Sequence, residues 1–229
     1  MKIAENGNFQ AKIERVMQIQ QCPLCENNGI PFFQSEKEQY YECVYCKGIF
    51  VPKHLLPGPQ DEINRYISHN NDVEDPGYRQ FVSPVVEEIL QHFDASRHKG
   101  LDFGAGTGPV ISKMLQDKDF KIAPYDPFFQ DNRELLQHKY NFIACCEVME
   151  HFHFPRKEFR RLKQLLLPGG KLFCMTHLYN PKIEFKNWYY KNDRTHVFIY
   201  QEETLKYIKE EFGFSDFYVK ERLIVFSIA

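Results

Sequence analysis

Residues 101–110 read Leu-Asp-Phe-Gly-Ala-Gly-Thr-Gly-Pro-Val: an apolar strand, a turn with three glycines, then the start of a helix. Glycine lets the main chain take conformations closed to other residues and lets a ligand lie directly against the backbone. The helix that follows, with Val110, Ile111, Met114 and Leu115 on one side, offers unpaired N–H groups and positive dipole character at its N-terminus. An adenosine-containing ligand with a carboxylate suits such a place. The dinucleotide pattern G-x-G-x-x-G/A does not fit, because the third small position falls on Pro109 or Ile111 according to the starting glycine.

From residue 99 onward short apolar runs alternate with amphipathic stretches, the pattern of a parallel α/β sheet. Strands are predicted at 99–103, 120–125, 140–146 and 171–176, with helices at 108–116, 131–138 and 155–167. The tail departs from this rhythm. A helix at 202–212, closed by Gly213, leads to strands at 215–220 and 222–228 that are joined too tightly to be anything but antiparallel. Only about fourteen residues separate Asp126 from the strand at 140, so a strand between them is short or missing.

Three further landmarks follow the glycine turn. The second strand ends in Tyr125-Asp126-Pro127, and an acid about twenty residues beyond the glycines can accept hydrogen bonds from both ribose hydroxyls. The next strand ends Cys145-Cys146-Glu147-Val148-Met149-Glu150-His151, and Leu167-Pro168-Gly169-Gly170-Lys171 precedes the one after. With Asp102, Gly104, Gly106 and Gly108 as the glycine motif, this series resembles the class I S-adenosylmethionine-dependent methyltransferases over roughly residues 99–229. The resemblance implies a Rossmann-like methyltransferase sheet with an antiparallel last strand. It also implies S-adenosylmethionine as cofactor, held by Asp102, Gly104, Ala105, Gly106, Asp126, Pro127, Phe128, Cys146 and Glu147. The acid that often contacts adenine after a third strand has no counterpart here, and Phe128 or Phe129 is the residue that could cover the ring.

Cys22-Pro-Leu-Cys25 and Cys43-Val-Tyr-Cys46 are two C-x-x-C knuckles seventeen residues apart, within the range of four-thiolate zinc sites. Each knuckle puts two sulfurs on one side of a tight turn, so two facing knuckles close a tetrahedron. A closed four-sulfur shell makes this zinc structural, and its binding energy would stabilise a segment too small and polar for a core. Leu56-Pro57-Gly58-Pro59 reads as a linker, which divides the chain into a zinc-ribbon-like domain at 1–56, a lead-in at 57–98 and the methyltransferase domain at 99–229. Such a linker predicts that the ribbon can unfold without the rest. Within the lead-in, Ser83 is the expected N-cap and Pro84 the first residue of a helix carrying Val85, Val86, Ile89, Leu90 and Phe93.

Methyl transfer from a sulfonium is a direct displacement, so alignment matters most and a base only sometimes. The polar stretch Arg65 to Tyr78, which includes His69, Asn70 and Asn71, is expected to act as a lid. Arg65, Tyr66 or Tyr78 would then reach the cofactor. His151 and His196 are the candidate bases; the other reading of His151 is a helix-start residue with a structural hydrogen bond. His196 lies in Asp193-Arg194-Thr195-His196-Val197, which resembles a substrate-loop segment of related methyltransferases. Trp188, Tyr189 and Tyr190 form either an aromatic wall for the acceptor or a core patch.

The 229 residues carry a net charge of −2, and in the first sixty Lys2, Lys12, Arg15, Lys37, Lys47 and Lys53 are matched by six glutamates. Nucleic-acid binding through phosphates usually brings a basic surplus, so a small-molecule acceptor is favoured over RNA. The two alternatives are an RNA methyltransferase that grips its substrate with the ribbon and a non-catalytic cofactor-binding scaffold with a protein-binding ribbon. Seven cysteines, four in C-x-x-C pairs, no apolar run near the roughly 18 residues a membrane span requires, and a polar opening together predict a cytoplasmic protein.

Overall fold

The computed structural model describes residues 19–36, 38–68 and 72–229. His69, Asn70 and Asn71 of the expected lid, and Lys2, Lys12, Arg15 and Lys37, lie outside the described residues. The chain forms two sheets. The first is antiparallel and contains β1 (Gln20–Gln21), β2 (Asn28–Gln34), β3 (Gln39–Cys43) and β4 (Ile49–Phe50). Next come α1 (Pro59–Ile67) and α2 (Pro76–His92), which lead into the second sheet.

The second sheet is laid down by β5 (Lys99–Phe103), α3 (Val110–Gln116), β6 (Lys121–Tyr125), β7 (Tyr140–Cys146), α4 (Pro155–Leu165) and β8 (Leu166–Met175). A two-residue strand, β9 (Phe198–Ile199), then α5 (Glu202–Phe212), β10 (Asp216–Lys220) and β11 (Leu223–Ser227) complete the chain. The spatial order is β10-β11-β8-β7-β5-β6. β6, β5, β7 and β8 are mutually parallel, while β11 runs antiparallel to β8 and β10 to β11. Between β6 and β7 the described chain makes only the bridge Asp126–Gln130 and a single 3-10 turn at Arg133–Gln137, where a helix over 131–138 was expected.

Side-chain alternation divides the core. Ile143 and Cys145 of β7, Leu172 and Cys174 of β8, and Ile224 and Phe226 of β11 face α4 and α5. Their neighbours Phe142, Ala144, Phe173, Met175, Leu223 and Val225 face α2 and α3. This is the period of two that a strand imposes, with both faces of the sheet covered. α4 contributes Phe159, Leu162 and Leu165 to the first of these layers, and α2 contributes Val82, Val85, Val86 and Ile89 to the second.

The structure corrects several expectations. The helix expected from Ser83 begins at Pro76, where the Asp75 side chain accepts the Tyr78 N–H at 2.6 Å and Pro76 occupies the first turn. Pro84 therefore lies inside α2. It forfeits one backbone bond, and the buried valine–isoleucine stripe on either side outweighs that loss. Pro59, read as part of a linker, opens α1 with Gly58 as its N-cap. β8 begins at Leu166, five residues early, and passes through Pro168-Gly169-Gly170 as an irregularity that shifts its register against β7.

The parts of the chain before and after Leu56–Gly58 are in contact. β4 pairs with β9, Ile49 opposite Ile199 and Phe50 opposite Phe198, so the first sheet is completed by the chain that follows β8. Leu24, Tyr41 and Phe50 lie in the same apolar cluster as Phe159, Phe198, Tyr200 and Phe226. Arg156 donates to the Leu24 carbonyl at 3.2 Å, and the Gln201 amide donates to the Lys47 carbonyl at 2.7 Å.

Candidate active site

The glycine turn lies where β5 meets α3. Gly104 has φ +80°, and a Cβ there would stand 2.5 Å from Val148 Cγ2, so glycine is required on both counts. The N–H groups of Gly104 and Ala105 donate to the Tyr125 carbonyl at 2.8 and 3.1 Å, which sews the turn to the end of β6. Asp126 completes the seam: its Oδ2 accepts the Gly106 N–H at 3.0 Å, and its Oδ1 accepts those of Phe128 and Phe129 at 2.8 and 3.1 Å.

A cavity of about 640 Å³ opens over this turn. Gly104, Ala105, Gly106, Asp126, Pro127, Phe128, Cys146 and Glu147 line it, as do Tyr66, Tyr78, Phe152 and His151. Two of the residues predicted for it lie elsewhere. Asp102 is buried beneath the turn, where one carboxylate oxygen accepts both the N–H and the hydroxyl of Ser112 at 3.2 and 2.9 Å. Burial pushes its pKa up to about 6, with the Ser112 bonds working the other way. It positions α3 and does not face the cavity. Arg65 turns away from this cavity and pairs with Asp193 at 2.7 Å. Tyr66, one residue on, points inward and sits 5.2 Å from the His151 ring and 6.0 Å from that of Phe128. Helical geometry puts neighbouring residues about 100° apart, so only one of the two can face the cavity.

A second cavity of about 900 Å³ adjoins the first through the shared residues Phe81, Glu147 and His196. Its walls include His54, Arg65, His177, Tyr189, Asp193, Arg194 and Arg222. The aromatic triplet splits: Trp188 and Tyr190 are buried, while Tyr189 is exposed, lines this cavity and has its hydroxyl 2.7 Å from His177 Nε2. Sequence reading missed His54, His177 and Arg222, which come from three distant parts of the chain and carry no local motif.

At the junction of the cavities the charged groups are tightly coupled. Glu147 sits in the left-handed region at φ 53° and its carboxylate binds Arg222. Glu150 is fully buried and accepts the Tyr190 hydroxyl at 2.6 Å. Both carboxyls are raised above the usual range, chiefly by burial. His196 Nδ1 meets the Tyr190 carbonyl at 2.7 Å and His151 Nδ1 the Thr195 carbonyl at 2.9 Å. Burial, then the neighbouring His151, hold the His196 pKa down to about 4.

In the first sheet the Sγ atoms of Cys22, Cys25, Cys43 and Cys46 all lie within 4.8 Å of one another, and all four residues are buried.

A glycine turn over a mostly parallel α/β sheet with a reversed last strand, and an acid at the end of the second strand, are the features of a methyltransferase-like α/β fold. The methyltransferase-domain family matches residues 77–219, and the chain belongs to that family. Ubiquinone biosynthesis O-methyltransferase of Sodalis glossinidius (strain morsitans) is 27% identical over 89 residues, 39% of this chain and 36% of that protein. The chain thus aligns with about a third of that curated relative's length. Among solved structures, 1,6-didemethyltoxoflavin-N1-methyltransferase of Burkholderia thailandensis, with bound 1,6-didemethyltoxoflavin and S-adenosylhomocysteine, superposes with a TM-score of 0.54. The identity is 11%, over 87% of this chain and 99% of that one. Human N-acetylserotonin methyltransferase in complex with S-adenosylmethionine gives a TM-score of 0.48 at 14% identity, covering 66% of this chain and 54% of that one. No helix among the described residues is long and apolar enough to cross a membrane.

Proposed function

We propose that the chain transfers the methyl group of S-adenosylmethionine to a small-molecule acceptor seated in the second cavity. The observation that carries this reading is the joining of the two cavities at Glu147 and His196, where a nucleophile in one can face a methyl group in the other. Gly104, Ala105 and Gly106 would lie along the methionine portion and Asp126 would accept the ribose hydroxyls. Each carboxylate oxygen has two acceptor sites, so the bonds Asp126 makes to the turn leave room for this. Phe128 and Tyr66 would cover the adenine. The acceptor's lone pair forms the new bond to carbon, the C–S bond breaks with its electrons remaining on sulfur, and S-adenosylhomocysteine leaves neutral. The chain's part is to align that displacement and exclude water from it.

The four cysteines fit a structural zinc ion. Zn–S bonds of about 2.3 Å in a tetrahedron put sulfurs about 3.8 Å apart. The Cys22–Cys46 and Cys25–Cys43 separations are 3.6 and 3.2 Å. A metal there would supply cross-linking between the knuckles and no chemistry, since no position is left open.

Calorimetric titration of the purified protein with S-adenosylhomocysteine tests the reading. One site per chain is expected, and a folded protein that takes up none would overturn it.

A further inference from the structure

Resting on the methyltransferase reading, we infer that Glu150, His151 and His196 form a second metal site, for a divalent first-row transition cation, at the junction of the two cavities. One ligand atom from each of the three lies within 4.8 Å of the other two, which is the spacing of donors around a shared ion. They come from distant parts of the chain. Glu150 and His151 belong to the 3-10 turn after β7, and His196 lies just before β9. The two segments are held together by the Val197 N–H donating to the Glu150 carbonyl at 2.9 Å.

Two independent observations point to a ligand. Glu150 Oε2 is buried and has no hydrogen-bond partner among the described residues, although Oε1 accepts the Tyr190 hydroxyl. A buried carboxylate oxygen without a partner costs free energy that a cation would recover. The second observation is the orientation of the imidazoles. A carbonyl oxygen can only accept, so His151 and His196 both carry their proton on Nδ1, directed at Thr195 and Tyr190. That fixes the tautomer in which Nε2 is the basic nitrogen, the outer-shell arrangement that metal-binding histidines ordinarily show. Two imidazoles and one carboxylate suit a transition cation and leave coordination positions open.

His196 lines both cavities and His151 lines the cofactor cavity, so those open positions would lie where acceptor and methyl group meet. The acceptor is then one that offers an oxygen to the cation. The ion makes that oxygen's proton easier to release to solvent before the oxygen attacks carbon. On this assignment the two histidines act on the acceptor through the cation and are not themselves the proton acceptors.

The test uses Mn²⁺, which four thiolates bind poorly, on the full chain with its cysteine cluster loaded with zinc. Electron paramagnetic resonance of the free aqua ion should show one Mn²⁺ bound per chain. Glu150→Gln and His196→Gln should each weaken that binding at least tenfold, the size of effect seen when even an outer-shell partner is removed. The affinity of Glu150→Gln for S-adenosylhomocysteine, at a residue outside the cavity lining, should change less than twofold. In the wild-type protein, electron spin-echo modulation should reveal two imidazole nitrogens on the Mn²⁺, a readout that needs no variant to fold. Wild-type protein that binds S-adenosylhomocysteine but no Mn²⁺, or Mn²⁺ without nitrogen coupling, would overturn the site and leave the methyltransferase reading standing. Mn²⁺ bound through two imidazoles by a chain that takes no S-adenosylhomocysteine would support the site and strike that reading instead.

Discussion

The carboxylate of Asp126 and the backbone N–H of Gly106 are hydrogen-bonded at 3.0 Å, so the acid at the end of β6 holds the turn as well as facing the cavity. Asp126→Ala should therefore weaken S-adenosylhomocysteine binding by about 2–3 kcal/mol, as expected when buried polar partners are left unpaired. It should also lower the stability of the free protein by about 1 kcal/mol. Calorimetry and urea unfolding measure the two separately. Unchanged affinity in a folded variant would remove Asp126 from the ribose site.

Gly104 gives a second handle on the same cavity. Gly104→Ala places a methyl group against Val148 and forces a left-handed conformation on alanine, at a cost of roughly 1–3 kcal/mol for the strained backbone. Gly104→Ala/Val148→Ala should recover the steric part of the loss and none of the conformational part. If the single variant matches wild type in both melting temperature and ligand affinity, the turn does not have the constraint described.

The cysteine cluster should hold about one zinc per chain, and Cys43→Ser should lose it. Because β4 pairs with β9 and Leu24 and Phe50 share a cluster with Phe226, the loss should lower the melting temperature of the whole chain. Elemental analysis and calorimetry decide this. Zinc retained at full affinity in the variant contradicts the ligand set, and an early transition confined to the first sheet contradicts the coupling.

Acid should loosen the second cavity. His177 is held down to about 4, by burial first and then by Arg222 and His196. Between the ordinary histidine value of about 6.5 and this lower one the unfolded chain takes up a proton that the folded chain does not. The His177 contribution is thus complete above about pH 6.5 and is lost as pH falls toward 4. His177→Gln should flatten the decline of the urea midpoint over that window, and an identical slope would show that His177 titrates normally.

Closure over the cofactor remains testable from both sides of the lead-in. Tyr66 near the end of α1 and Tyr78 in the first turn of α2 line the cofactor cavity. Hydrogen exchange over 65–68 and 72–78 should slow when S-adenosylhomocysteine is added. Equal protection with and without it would leave these residues as a fixed wall.

The parts of this fold visible in the residues are those written in local patterns. The strand–glycine–helix turn, the acid after β6, the terminal hairpin and the shortened β6–β7 connection all follow from spacing or alternation over ten or so residues. α1 escaped because its sequence is mostly polar and one helical face has little beyond Tyr66 and Ile63 to mark it. Pro84 misled because proline is commonest at helix starts, whereas here Asp75 and Pro76 already supply the cap. The junction was half legible: His151 and His196 stood out as candidate bases, but nothing in either segment shows that Glu150 joins them. That contact depends on β9 passing beside the turn after β7, a long-range event that no local periodicity records.

The short strand Phe198–Ile199 has a consequence for how this protein can be divided. It forms the edge of the cysteine-bearing sheet and follows directly on His196, which lines the second cavity, and Val197. Gly48 lies so close to Phe198 that even a Cβ there would stand 2.3 Å from the ring. Cutting the chain before Pro57 would bare Phe198 and Ile199, two residues now fully covered, beside the loop that lines the second cavity. The N-terminal knuckles are accordingly joined to the later part of the chain through this strand, and a shortened chain would leave the strand's apolar face without its cover.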